Sequence, residues 1–157
     1  MNKKSISTSI LISRIIAVLL LVSLAGLSLI LPQVVGALCD TGDIVGDRAS
    51  MTDLERGAVV GVAYAMVLVA AFAIVTLLRL LSAVSRGEVF TPFVVRILAT
   101  VSYCFFAEAV LFALLIYYFQ LSLGVTLALV LVGLCILIVR NVIAVACVIK
   151  EENDYTV

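Results

Sequence analysis

The sequence contains no histidine, and charged residues make up only 13% of its 157 positions. Without histidine, the chain lacks the commonest general base and the commonest metal ligand. Its four cysteines are far apart and form no Cys-x-x-Cys pair, so neither a disulfide framework nor a zinc site is indicated. Ten basic residues balance ten acidic ones, which leaves no excess charge for nucleic acid. We therefore expect no metal, no cofactor and no direct nucleic-acid partner.

The elements of a catalytic site are missing as well. No nucleophile–base pair, phosphate-binding loop or metal motif is present. The serines and threonines have no histidine that could activate them as nucleophiles. We therefore expect no catalytic residues and predict that the protein is not an enzyme.

Apolar residues make up 65% of the chain, and the mean hydropathy of the sequence is +1.34. A soluble domain is nearer half apolar and about a quarter charged, and a membrane span needs roughly 20 apolar residues. The stretch 97–139 contains a single charge, Glu108, and is long enough for two spans with a turn at 120–124. We predict an all-α integral membrane protein, a single domain over 1–157 in a lipid bilayer, with spans near 14–37, 54–80, 96–119 and 122–148.

Lysine and arginine are distributed unevenly around these spans. Eight of the ten lie at the N-terminus, between spans two and three, or at the end of span four, and the exceptions are Arg48 and Arg56. Cytoplasmic loops of membrane proteins carry an excess of these residues. The bias predicts a four-helix transmembrane bundle with both termini in the cytoplasm (N-in/C-in).

Local signals define the ends of spans two and three. Thr52 and Glu55 have the spacing of a capping box, so span two is expected to start there. Gly87 suits the C-cap of the same helix. Thr91 and Pro92 read as the N-cap and first helical residue of span three. The connection between them is therefore a helix–turn–helix at the membrane surface.

The far end of span one carries two further residues of interest. Pro32 is expected to kink or end the helix, because proline has no backbone N–H and clashes with the preceding turn. Cys39 lies alone at the predicted outer surface, where an unpaired cysteine can join two chains. An interfacial cysteine without a role is the plainer interpretation.

Two motifs resemble a known family. The loop between spans two and three reads SRGEVFTPFVVRIL, and the chain ends in VIKEENDYTV. A Gly-Glu-Val-Phe-x-Pro connection and a final helix running into Lys-Glu-Glu-Asn-Asp-x-Thr-Val resemble the bacterial membrane family called domain of unknown function 2975. The residues that carry this resemblance are Gly87, Glu88, Phe90 and Pro92 in the loop, and Glu151, Glu152, Asn153 and Asp154 in the tail. The resemblance covers the whole chain and implies a bacterial cytoplasmic (inner) membrane and a small helix-turn-helix regulator as a cytoplasmic partner.

Glu108 is the one charge in the stretch 97–139 and lies near the middle of predicted span three, where a charge is costly unless it is paired, protonated or turned into the bundle. Counting ~1.5 Å per residue from the predicted turn places Arg140 about 9 Å deeper, with the two side chains pointing toward each other. We expect Glu108 and Arg140 to form a direct or water-bridged pair. A neutral glutamate bonded to Tyr64 or Tyr103 is the alternative.

Small residues repeat every four positions on span two, at Gly57, Gly61 and Ala65. This spacing lets helix backbones approach closely. Packing within the bundle is the expected role, and a homo-oligomer interface is the alternative.

These observations favour a small regulatory or interaction protein that presents its inner loop and its C-terminal tail to a cytoplasmic partner. The alternative is an oligomeric ion or proton channel or transporter that uses Glu108. Transporters usually have more spans, broken helices and several intramembrane polar groups. We therefore favour the regulatory protein.

Overall fold

The computed structural model describes residues 3–40, 52–87 and 90–155, and within these ranges it contains four α-helices and no extended β-strand. The helices are α1 (Lys3–Asp40), α2 (Asp53–Ser85), α3 (Pro92–Leu115) and α4 (Leu121–Tyr155). Each is long and apolar enough to cross a membrane. The predicted all-α, four-span organisation is confirmed, and the chain is a multi-pass membrane protein.

The ends of α2 and the start of α3 form as the local signals predict. Thr52 caps α2 in a reciprocal capping box, in which the Glu55 side chain accepts a bond from the Thr52 backbone N–H at 3.0 Å. Gly87 follows the last turn of α2 at φ 80°, a left-handed conformation that glycine adopts without steric cost. Thr91 caps α3, and Pro92 is its first residue. The capping box, the N-cap and the first-position proline are confirmed as predicted, while Gly87 lies one residue beyond the C-cap, which is Arg86.

The turn between α3 and α4 differs from the prediction. α3 ends at Leu115 rather than near 119, and α4 already begins at Leu121. The predicted turn residues 121–124 are therefore helical. The rings of Tyr117 and Tyr118 meet edge to face with centroids 5.2 Å apart. The chain reverses at 116–120, where Tyr118 and Phe119 pack against the apolar cluster at this end of the bundle.

Each helix packs antiparallel on the next one along the chain, α1 on α2, α2 on α3 and α3 on α4. Among the described residues, no α-carbon of α1 lies within 8 Å of an α-carbon of α3 or α4. The bundle is thus open between α1 and α4. α3 lies between two neighbours and is the most buried helix. We call the end with both chain termini the terminal face, and the other end the opposite face.

Two apolar clusters fix the ends of the bundle. At the opposite face, α1, α2 and α3 contribute Leu31, Val35, Val59 and Leu115. At the terminal face, the buried residues Ala83, Val94 and Leu98 of α2 and α3 pack with Ile136 and Ile143 of α4. The second cluster sets the register between α3 and α4.

Pro32 lies inside α1 and does not end it, because the helix continues to Asp40. A helical proline cannot donate to the carbonyl four residues earlier, which here is the carbonyl of Ser28. The hydroxyl of Tyr64 on α2 donates to this carbonyl at 3.3 Å. A side chain from the neighbouring helix thus supplies the hydrogen bond that the proline removes.

This arrangement predicts an energetic coupling between α1 and α2. Tyr64→Phe should lower the free energy of unfolding by about 0.5–1.5 kcal/mol, because the Ser28 carbonyl loses its donor. In a Pro32→Ala background the cost should be smaller, since the backbone N–H restored at position 32 reaches the same carbonyl. A double-mutant cycle measured by unfolding in mild detergent checks this. An equal cost in both backgrounds would contradict the coupling.

Candidate intramembrane site

A cavity of about 440 Å³ lies inside the bundle and is lined by residues from all four helices. α2 and α3 provide most of its wall, from Ala63 to Ile74 and from Cys104 to Phe112. α1 contributes Leu24, Leu27 and Leu31, and α4 contributes Leu129. Because α1 and α4 do not pack on each other, no helix–helix contact closes the side of the cavity between them. The cavity is therefore an apolar space that faces the lipid laterally.

Glu108 is the only carboxyl group among the residues that line this cavity. Its side chain is 9% exposed, and its Oε1 atom has no hydrogen-bond partner among the residues that the structure describes. The other lining side chains are aliphatic, aromatic or sulfur-containing. The two tyrosines considered as partners lie elsewhere, since Tyr64 bonds to Ser28 and Tyr103 is 64% exposed. The structure therefore places an unsatisfied carboxyl oxygen in apolar surroundings.

The structure does not bring Glu108 and Arg140 together, and the predicted direct pair is corrected. Arg140 donates from Nη1 to the side chain of its neighbour Asn141 at 3.0 Å, and within the described ranges its Nε atom has no hydrogen-bond partner. Leu129, which lines the cavity with Glu108, precedes Arg140 by about eleven residues, or ~16 Å along α4. The expected 9 Å was an underestimate because α3 ends earlier than predicted. The earlier reversal moves Arg140 away from the level of Glu108.

Arg140 instead belongs to a band of arginines near the terminal face. Val94 and Leu98 of α3 share a cluster with Ile136 and Ile143 of α4, so Arg140 lies at about the depth of Arg96. The same cluster includes residues next to Arg79 on α2. Arg79, Arg96 and Arg140 thus come from three adjacent helices at similar depth, and we call them the arginine band.

The predicted packing stripe on α2 does not contact the rest of the bundle as expected. Gly57 and Gly61 are exposed, and a β-carbon at either position would meet no atom within 4 Å. Ala65 is half-buried. Close approach occurs at Gly133 on α4, where a β-carbon would lie 3.0 Å from the ring of Phe106. The Ser102 hydroxyl donates to the Gly133 carbonyl at 2.8 Å and is fully buried.

The family model described as "Protein of unknown function (DUF2975)" matches residues 20–157. The chain belongs to this family. The match confirms the resemblance read from the loop and the tail. It covers α2, α3 and α4 and most of α1, and so includes every residue that lines the cavity. No curated protein and no solved structure matches the chain.

The DUF2975 motif residues lie at the terminal face. Gly87, Phe90 and Pro92 surround the connection between α2 and α3, with Phe90 48% exposed, while Glu88 lies outside the described residues. Glu152 is exposed on the last turns of α4. The tail residues Glu151, Asn153 and Asp154 are on the same helix, and their side chains lie outside the described part, as does that of Cys39 in α1.

Proposed function

We propose that this DUF2975 protein is a regulatory membrane protein of the bacterial inner membrane, with its terminal face in the cytoplasm, where it holds a helix-turn-helix regulator. The observation that carries the proposal is the length of α4. The helix runs without a break from Leu121 to Tyr155 and is about 52 Å long at 1.5 Å per residue. A hydrocarbon core of ~30 Å cannot contain it.

The arginine band supports the proposed orientation. From Arg96 to the end of α3 at Leu115 the helix rises ~29 Å, close to the thickness of the hydrocarbon core. The arginines then lie at one boundary of the core, as expected for a cytoplasmic surface. Beyond that boundary, α4 continues for about 15 more residues.

This extension of α4 offers a surface for a partner. Val145, Val148 and Ile149 are each more than half exposed on one side of the helix. The tail motif, with Glu152 exposed, follows within the next turns. Ile143, at the base of the extension, packs against the cluster of Ala83, Val94 and Leu98, so we expect the tail to be held on a fixed helix. An apolar stripe beside acidic residues is suited to a partner with an apolar groove and a basic rim.

A channel based on Glu108 has weaker support. One observation favours it, the buried carboxyl group in the cavity. Ion paths, however, are built from rings of carbonyls or charged side chains. The remaining lining residues of the cavity offer no such ring. Ion flux into proteoliposomes that disappears with Glu108→Gln would favour the channel over the regulator.

Membrane recruitment tests the proposed function. A helix-turn-helix regulator encoded beside this chain should co-sediment with membranes when the wild-type chain is expressed, and Val148→Asp with Ile149→Asp should release most of it into the soluble fraction. Val110→Asn, which changes an exposed residue on α3 far from the extension, is the control and should retain it. A regulator that remains soluble with the wild-type chain would contradict the proposal.

A reporter fusion tests the orientation separately. A fluorescent protein that matures only in the cytoplasm should be bright when fused after the last residue. A phosphatase that works only in the periplasm should be active when inserted within 41–51. The reverse pattern would exclude a cytoplasmic terminal face.

A further inference from the structure

We propose that the intramembrane cavity binds a compact lipophilic amine, whose nitrogen pairs with the carboxyl group of Glu108. The proposal does not depend on the cytoplasmic partner, and it assigns a ligand class to a site that the proposed function leaves unused. Three observations carry it: the volume, the unsatisfied oxygen and the composition of the wall.

The volume is appropriate for a small ligand. Ligand pockets in proteins are typically 300–1,000 Å³ and mostly apolar, with a few polar groups that fix orientation. The cavity here is about 440 Å³ and has one carboxyl group in an otherwise apolar wall. Phe105 and Phe112 add aromatic surface on α3. These features favour a ligand with an apolar body and a single polar group.

Water is a poor occupant of the same space. A buried water needs two to four polar partners, and Glu108 is the only side chain of the wall that offers strong ones. A lipid tail could fill the cavity, but it would leave Oε1 of Glu108 without a partner. An unsatisfied carboxyl oxygen in an apolar site carries a desolvation penalty. A ligand that supplies an N–H donor removes this penalty.

The carboxyl group of Glu108 selects among polar ligands. An amine can take up the carboxyl proton, and the resulting ammonium and carboxylate groups form a charge-assisted hydrogen bond. A neutral alcohol gives the bond without the charge, and an acid adds like-charge repulsion. The order of affinity is therefore amine, then alcohol, then acid.

The binding test uses three matched probes: 3,3-diphenylpropylamine, the corresponding alcohol and the corresponding carboxylate. Affinity is measured by calorimetry on the full chain in nanodiscs of zwitterionic lipid, with empty nanodiscs subtracted. The wild-type protein should bind the amine about tenfold more tightly than the alcohol and should not measurably bind the carboxylate. Glu108→Gln should abolish the preference for the amine.

Two further variants keep the test decisive. Glu152→Gln removes an exposed carboxylate outside the cavity and should leave amine binding unchanged. Ala73→Leu adds volume to the cavity wall without removing the Glu108 carboxyl group and should weaken the amine and the alcohol alike. Equal binding of amine and alcohol, or amine binding that survives both Glu108→Gln and Ala73→Leu, would overturn the proposal and indicate partition into lipid only.

Discussion

Gly133→Leu is expected to destabilise the protein by about 1–3 kcal/mol, the typical cost of overpacking a close contact. A β-carbon at this position would lie 3.0 Å from the ring of Phe106 on α3. The larger side chain would also separate the Gly133 carbonyl from the Ser102 hydroxyl, which now donates to it at 2.8 Å. Thermal or denaturant unfolding in mild detergent, followed by circular dichroism, measures the loss.

Gly26→Leu is the matched control for this prediction. Gly26 is also inside a helix, but a β-carbon there would meet no atom within 4 Å. Replacing glycine within a helix gains up to ~1 kcal/mol from backbone propensity, so the control should be neutral or stabilising. The difference between the two variants isolates the clash at the α3–α4 interface. Equal effects would mean that the close approach at Gly133 does not contribute to stability.

Glu108→Leu is expected to stabilise the ligand-free protein by about 1–3 kcal/mol. The substitution removes a buried polar group that lacks a hydrogen-bond partner at Oε1, which costs about this much. Leucine is of similar size and suits an apolar wall. The unfolding midpoint in detergent should therefore rise.

Ser102→Ala provides the contrast, because Ser102 is another buried polar residue on α3 and has a partner. Loss of the Ser102 hydroxyl and its hydrogen bond should lower the free energy of unfolding by about 1 kcal/mol. If Glu108→Leu destabilised the protein as much as Ser102→Ala does, the carboxyl group would have to be satisfied within the protein, and the ligand proposal would lose its main support.

The predictable parts of the fold are those specified by neighbouring residues. The capping box at Thr52 and Glu55, the left-handed glycine at 87 and the Thr91–Pro92 start of α3 each depend on a few adjacent positions. Hydropathy likewise sets the number of helices. A run of roughly 20 apolar residues in a membrane protein has few stable structures other than a helix that crosses the bilayer.

The relation between helices was harder to predict, because it depends on where each reversal occurs. α3 ends earlier than predicted, at Leu115, and α4 also starts earlier. Both changes displace α4 along α3 in the same direction, so the displacement is twice the error in the predicted position of the turn. That shift separates Arg140 from Glu108 and aligns it with Arg96. No single residue marked the turn, because residues 116–119, where the chain reverses, continue the apolar run of α3.

The choice of packing glycine was wrong in a similar way. Gly57 and Gly61 have the familiar four-residue spacing but lie on an exposed face of α2. Gly133 has no such pattern around it, and its role follows from Phe106 and Ser102 on another helix. The burial of Glu108, by contrast, was predictable from the cost of a charge in lipid.

The strictly consecutive packing of the four helices has a consequence for biosynthesis. Each helix that leaves the ribosome and enters the bilayer finds its main neighbour, the preceding helix, already in place. Assembly can therefore proceed in chain order, without waiting for a late segment to pair with an early one. The buried hydroxyl of Ser102 follows the same order, since it lacks its acceptor on α4 until that last helix is made.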